Sequence, residues 1–358
     1  MAGMAVSREF WAGRRVFLTG HSGFKGGWLG LWLSELGAEV YGYSLAPQTQ
    51  PALHQSIRLA ECLAGEFADI RDAEQLRRSL QAFRPEVVLH LAAQPLVRES
   101  YRTPAETYAT NVIGTLNLLE AVRQCDTVRA VLVVTSDKCY ENREWLWPYR
   151  EQEALGGHDP YSSSKACAEL LCASWRDSFL RERGIALATA RAGNVIGGGD
   201  WSADRLLPDI LRAWDAGESL TLRYPGAVRP WQHVLDPLQG YLLLAQALVE
   251  QGQAVAQAWN FGPDSEGTAT VGEVVQAMAE RWSGDARWAV ESLDQPHEAG
   301  LLTLDSSRAR QRLGWRPSWG LPQALQRTLD WHRAWRDGQD MQQYSRAQIA
   351  EHEGENND

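Results

Sequence analysis

The stretch Val16-Phe17-Leu18-Thr19-Gly20-His21-Ser22-Gly23-Phe24-Lys25-Gly26 leaves few architectures open, because an apolar run, a spaced glycine triplet and an apolar helical pattern follow one another directly. Val16 to Leu18 suits a buried parallel strand, and the apolar residues from Phe24 to Leu36 recur at helical spacing. Between them, Gly20-x-x-Gly23-x-x-Gly26 lets the backbone turn sharply, approach a pyrophosphate closely and aim the N–H groups of a helix start at it. The turn predicts a dinucleotide site lined by Gly20, Ser22, Gly23, Phe24, Lys25 and Gly26.

The same rhythm continues through the first half. Glu39 to Ser44, Glu86 to Leu91 (EVVLHL), Ala130 to Thr135 (AVLVVT) and Ala186 to Ala190 read as apolar strands, and a long helix is expected around Thr110 to Arg123. Strands apolar throughout, alternating with helices, predict an α/β fold: a Rossmann-type doubly wound parallel sheet with helices on both faces. Ligands of such a sheet sit at the carboxyl ends of the strands. The polar segments following those ends are His21-Ser22, Asp69-Ile70, Ala92-Ala93-Gln94 and Ser136-Asp137-Lys138. They are expected to line one crevice. The second strand ends in Tyr43-Ser44-Leu45-Ala46, with no acid to hold ribose hydroxyls and no arginine before Arg58 to meet a 2′-phosphate. Ser44 is left to face the ribose, and NAD is favoured over NADP.

Composition excludes several classes of function. The net charge of −10 argues against a general nucleic-acid surface. The apolar run Tyr241 to Val249 is too short to cross a bilayer. Five cysteines without a C-x-x-C pair read as free thiols of a reducing, cytoplasmic compartment, with no zinc site and no metal expected. Of 35 basic residues only Lys25, Lys138 and Lys165 are lysines. Arginine serves as the general surface cation, so the lysines mark places where a compact ammonium with a shiftable pKa matters.

The strongest catalytic signal is Asp159-Pro160-Tyr161-Ser162-Ser163-Ser164-Lys165. Asp159 can cap a helix that Pro160 begins, which puts Tyr161 and Lys165 one turn apart on one face. A nearby ammonium and a positive nicotinamide are expected to lower the tyrosine pKa from about 10 towards that of a working general base.

The glycine triplet, the serine after AVLVVT and Tyr161-x-x-x-Lys165 together resemble the extended short-chain dehydrogenase/reductase superfamily. Within it, GHSGFKGGWL, TSDKCYEN (Thr135 to Asn142), RAGNVIGGGDW (Arg191 to Trp201) and RPWQHVLD (Arg229 to Asp236) resemble the CDP-glucose 4,6-dehydratases. That resemblance implies an NAD-dependent lyase converting CDP-glucose to CDP-4-dehydro-6-deoxyglucose for surface sugars such as those of lipopolysaccharide. It adds Asp69, Ile70, Ala92, Ala93 and Asn111 to the cofactor contacts. Gln94, Asn194, Arg229, His233, Asn260 and His297 are its expected contacts to the nucleotide sugar. It also implies a homodimer or higher homo-oligomer paired through the helices at Thr110 to Arg123 and Tyr161 to Phe179.

The chemistry distinguishes two relatives. A nucleotide-sugar 4-epimerase needs only a Tyr/Lys couple and a hydroxyl, whereas a 4,6-dehydratase also needs a base at C5 and an acid at C6. Ser136-Asp137-Lys138 offers a hydroxyl for the C4 oxygen, a carboxylic acid for the C6 leaving group and an amine near C5. The dTDP-glucose enzymes it resembles carry Thr-Asp-Glu here, with Glu as the C5 base. Lys138 takes that part only when neutral; charged, it would stabilise the enolate instead. The base role is the expected one, because Lys165 and the oxidised cofactor disfavour a charged Lys138 by like-charge repulsion; enolate stabilisation stays open beside it, as does the same dehydration on another nucleotide glucose.

After Ala190 the β-α-β rhythm gives way to short strands, helices and proline-punctuated loops. The expected organisation is an NAD-binding domain over residues 1–190, carrying the catalytic helix. Residues 191–350 are mainly a smaller mixed α/β substrate-binding domain, with some chain returning to the first. A polar tail is expected at 351–358.

Overall fold

A computed structural model describes residues 5–264, 267–290 and 300–355. Its strands in chain order are β1 (Arg15–Thr19), β2 (Glu39–Ser44), β3 (Ala64–Phe67), β4 (Val87–His90), β5 (Ala130–Val134), β6 (Ala186–Ala192), β7 (Asn194–Ile196), β8 (Leu220–Leu222), β9 (Val228–His233), β10 (Ala258–Phe261), β11 (Thr268–Thr270) and β12 (Trp288–Val290). Seven of them form one sheet in the order β10-β6-β5-β4-β1-β2-β3, every neighbouring pair parallel. This is the Rossmann-type doubly wound sheet. Its order reverses between β1 and β4, and there a crevice opens at the carboxyl ends.

Alternation along each strand builds two cores. Val16 and Leu18 of β1, Val87 and Leu89 of β4, and Ala130, Leu132 and Val134 of β5 face one side, packed with Trp28, Trp32 and the buried helix Leu235–Gln251. Phe17, Val88, Val131 and Val133 face the other, against Leu118, Leu119 and Val122 of the helix Gly114–Arg123. Burial on both faces explains why these strands read as unbroken apolar runs.

A smaller mixed layer stands over the crevice. β9 pairs parallel with β7 and antiparallel with β11, and β8 pairs with β12. Ile196, Leu207, Trp231, Val274 and Leu325 belong to its separate apolar core.

Two elements differ from expectation. The helix expected from Thr110 starts earlier, at Pro104, and a π-turn, Ala109–Ile113, sits between its α-helical parts Pro104–Tyr108 and Gly114–Arg123. The turn carries Asn111, buried, inward onto Gln94 and Ser164. The polar tail expected from residue 351 is helical as far as Glu355, within Met341–Glu355. Its polar side chains are what dock it: Glu353 accepts from the Trp32 indole at 2.8 Å, Glu355 from Trp319 at 2.8 Å, and buried His352 meets Asp236 at 2.9 Å.

The glycine turn is tight for steric reasons. Gly20 has φ +79°, and a Cβ there would stand 2.7 Å from the Ala92 nitrogen; one on Gly26 would overlap the Gly20 carbonyl oxygen. Gly26→Ala should therefore displace the Gly20 loop. Its dinucleotide affinity should fall by roughly tenfold or more, equivalent to about 1.4 kcal/mol, read by calorimetric titration of NAD against a wild type of matched fold.

Candidate active site

Thr19 at the end of β1 ties the switch point together. Its Oγ1 accepts from the Leu91 and Ala92 amides and lies 2.7 Å from His90 Nδ1. Burial and Lys165 push the His90 pKa down to about 3, so the ring is neutral. Gly20 and Gly23 turn the chain into the helix Phe24–Glu35, whose first turn bears Lys25. Ser44 closes the adjacent strand end: its hydroxyl donates to Leu45 O, accepts from the Ser22 amide and lies 3.1 Å from His21 Nδ1. Asp69, past the end of β3, is ion-paired to Arg71, and Tyr43 donates to the Asp69 carbonyl. Arg58 is turned to Asp340 at 2.9 Å and to Glu61.

Ser136 follows β5 and caps a short 3₁₀ turn, Asp137–Cys139, accepting from the Lys138 amide at 3.2 Å. Its hydroxyl donates to Asp137 Oδ1 at 3.1 Å, and Lys138 Nζ is 3.6 Å from the same oxygen. Asp137 is 1% exposed, yet its Oδ2 has no protein partner. A buried carboxylate oxygen left open beside a cavity is a place for a ligand hydroxyl.

The helix Pro160–Trp175 is capped by Asp159, which accepts from the Ser162 amide at 2.9 Å. Tyr161 in its first turn is hydrogen-bonded to Ser136, and Lys165 Nζ, one turn later, donates to Val134 O at 3.2 Å. The expected lowering of the tyrosine pKa is absent from the protein alone. Burial dominates and pushes Tyr161 up to about 12, against the opposing Ser136 hydrogen bond and Arg205. Burial also brings Lys165 down to about 8, with Glu169 opposing.

These groups open into one cavity of about 630 Å³, a size suited to a small organic ligand. Lys25, Ser136, Asp137, Lys138 and Tyr161 line it, and so do Asn194, Leu207, Arg229, Trp231 and Val271. Two arginines that sequence reasoning missed also line it. Arg205 is held by Asp200 at 2.9 Å, and Arg98 reaches Asp204 at 3.6 Å across the mouth. A lone arginine beyond the GGGDW run was the available signal for Arg205.

Three expected substrate contacts are placed elsewhere. His233 is fully buried between Trp28 and Trp319, its Nδ1 accepting from the Leu235 amide. It shares a face with Arg229 and Trp231 by strand alternation, but it lies further along β9, where the two indoles close over it. Asn260 is a buried strut, accepting from Tyr140 at 2.7 Å and donating to the Tyr149 and Asp305 carbonyls. Gln94 folds back on Leu96 and Thr107. His297 lies outside the described residues. Among the described residues no cluster of His, Cys, Asp or Glu is placed to hold a metal, and no helix is long and apolar enough to cross a membrane.

The GDP-mannose 4,6 dehydratase family matches residues 17–328. A Salmonella typhimurium protein named CDP-glucose 4,6-dehydratase is 51% identical over 97% of this chain and 98% of its own. A Xanthomonas campestris dTDP-glucose 4,6-dehydratase is 29% identical over 74% of this chain and 77% of its own. The solved Thermus thermophilus UDP-glucose 4-epimerase, in complex with NAD, superposes with a TM-score of 0.77 at 25% identity, covering 88% of this chain and 98% of that one. With the family matching most of its length, the chain belongs to the GDP-mannose 4,6 dehydratase family.

Proposed function

We propose that the protein is an NAD-dependent hydro-lyase that converts CDP-glucose to CDP-4-dehydro-6-deoxyglucose. The observation that carries this reading is the convergence of Ser136, Asp137 and Lys138 with Tyr161 in one cavity. An epimerase has no use for Asp137, whereas loss of water from C6 needs an acid there. The nucleotide follows the Salmonella relative, at 51% identity over 97% of the chain.

NAD fits the crevice: Gly20 and Gly26 leave no room for a Cβ where a pyrophosphate must approach, and Ser22 and Ser44 offer hydroxyls beside it. Asp69, Ile70, Ala92 and Ala93 follow the neighbouring strand ends, and Asn111 stands in the π-turn bonded to Gln94; they would line the cofactor. NAD held there would supply the hydride acceptor for C4 and the hydride donor for C6. The protein's part is proton traffic and grip. Tyr161, with Ser136 hydrogen-bonded to it, receives the O4 proton. Asp137 gives a proton to the departing C6 hydroxyl from its open Oδ2. Lys138 would meet C5, taking its proton or facing the negative charge that develops there. Arg205 and Arg229 suit the diphosphate, and Asn194 the sugar.

Two protomers would pair through the outer faces of the helices Gly114–Arg123 and Pro160–Trp175, near which Ile113, Leu170 and Phe179 are exposed. Five free cysteines suit a cytoplasmic enzyme making sugars for the cell surface.

Mass spectrometry of the protein incubated with NAD and, separately, CDP-, dTDP-, GDP- and UDP-glucose tests the reading. Loss of one water from the CDP sugar alone is expected. An isomeric galactose product would make the protein an epimerase, and water lost from another nucleotide sugar would reassign the nucleotide.

A further inference from the structure

The proposed chemistry makes a demand on the cavity. Between oxidation at C4 and hydride return at C6 the sugar is a 4-ketone and then, once water has left, a 5,6-alkene, and the hydride it needs is held on the cofactor. A sugar lost at that stage strands the protein with reduced cofactor. The mouth must therefore stay shut for that interval. Arg98 and Asp204 line the cavity and meet at 3.6 Å, with 24% and 22% of their side chains exposed, so the pair stands where the cavity reaches solvent. The two come from different layers. Arg98 belongs to the helix Val97–Arg102 beyond β4, which packs beside the helix carrying Tyr161. Asp204 belongs to the loop between β7 and the helix Leu206–Asp215 of the smaller layer.

We propose that the Arg98–Asp204 pair is a clasp between the two layers that retains the oxidised sugar until its hydride is returned; this rests on the dehydratase reading. Asp204 is the shared half. Arg102, from the same helix as Arg98, is 3.9 Å from it, and Arg223, after β8, is 3.4 Å from it. One carboxylate thus gathers guanidiniums from both layers.

The local structure favours this part. Asp200 accepts from the Ser202 amide at 3.1 Å and holds Arg205 at 2.9 Å, which pins the loop on both sides of Asp204. Asp204 itself has φ +60°, a left-handed conformation that aspartate and asparagine adopt more readily than most side chains. With the carboxylate fixed, opening is left to the long arginine side chains. Partly exposed pairs of this kind are individually weak and screened by salt, as a contact that breaks once per turnover must be. The clasp also lies at the reacting end: Leu96 and Val97 line the cavity beside Arg98, and the charge of Arg205, next to Asp204, reaches the Tyr161 phenol.

Retention can be measured apart from chemistry, as the rate at which CDP-4-dehydro-6-deoxyglucose leaves the NAD-loaded protein when chased with excess CDP. Stopped-flow tryptophan fluorescence follows it, since Trp231 lines the cavity. Asp204→Asn keeps the side-chain shape and suits the left-handed backbone but removes all three pairs, so it should release the product about tenfold faster than wild type. Arg98→Met removes one pair and should release it about threefold faster. Arg98→Lys, which keeps a cation, should stay near wild type. Added salt should speed release from wild type and leave Asp204→Asn unchanged. During turnover of CDP-glucose both charge-removing variants should also free the 5,6-alkene, found by mass spectrometry as a sugar lighter than the product by two hydrogens, while reduced cofactor accumulates in step with it. Release from Asp204→Asn at the wild-type rate with no free alkene would overturn the clasp. Arg98→Lys releasing product as fast as Arg98→Met would overturn it too, since bulk rather than charge would then close the mouth. Wild type that leaves CDP-glucose unchanged overturns the dehydratase reading itself; a dehydrating wild type beside variants that hold the product as tightly overturns only the clasp.

Discussion

Tyr161→Phe should leave the protein folded and able to bind NAD while slowing C4 oxidation about 10²–10⁴-fold, the usual contribution of a positioned proton acceptor. The ring is 8% exposed and packed at the start of a well-capped helix, so removing one oxygen leaves the packing in place. What disappears is the phenol oxygen, hydrogen-bonded to Ser136, that receives the O4 proton. In the protein alone burial holds the phenol at about 12, so it works as phenolate only when a positive charge joins it. A nicotinamide held in the crevice would supply that charge, and Lys165 adds its own below its pKa of about 8. The pH dependence follows from the sign. A raised phenol pKa makes the active phenolate scarcer at low pH, so the wild-type rate should climb with pH. In Tyr161→Phe that limb should be flat. Single-turnover growth of reduced-cofactor absorbance on mixing with CDP-glucose measures both effects; a variant oxidising C4 at wild-type rate removes Tyr161 from the chemistry.

The parts of this site legible in the sequence are those set by short-range spacing. Gly20 and Gly26 sit where the turn leaves no room for a Cβ, and Tyr161 and Lys165 share a helix face because Asp159 and Pro160 fix where the helix begins. The apolar runs were equally plain, since a strand buried on both faces has no polar residue to blur it. Direction was harder to read than position. His233 stands in a motif beside Arg229, yet the indoles of Trp28 and Trp319, distant in sequence, decide that it faces the core. Asn260 pairs in register with Arg191 on β6, and its amide is used up by Tyr140, Tyr149 and Asp305. The helical end at Glu355 was hidden for a related reason: a polar stretch reads as solvated unless the tryptophans that receive it are known. Arg205 carried too little pattern around it to be noticed.

Least visible of all was the support behind the site, and its removal should have the largest effect on stability. Glu169 and Arg191 form a bidentate pair, 2.8 and 2.9 Å, with both side chains 3% exposed. Glu169 also accepts from Thr135, one residue before Ser136, and from Thr189 on β6. Arg191 in turn donates to Tyr140, and Tyr140 to Asn260. One carboxylate therefore links the catalytic strand end to β6 and β10. Glu169→Ala should destabilise the protein by about 3–5 kcal/mol, because it leaves a guanidinium buried without its counter-ion. Glu169→Ala with Arg191→Met should recover part of that loss, since no orphaned charge remains; midpoints of urea unfolding compare the two. The acid side has a defined sign. Burial alone would raise the Glu169 pKa, but Arg191 and the two threonine hydroxyls hold it below the ordinary carboxylate range. A carboxylate depressed on folding contributes its full stability above its unfolded pKa of about 4.3, and that contribution is lost as pH falls through the folded value. Wild type should thus lose stability on acidification more steeply than the double variant. Equal acid slopes, or a single variant as stable as wild type, would show that the pair does not carry the strand end on which Ser136 and Asp137 stand.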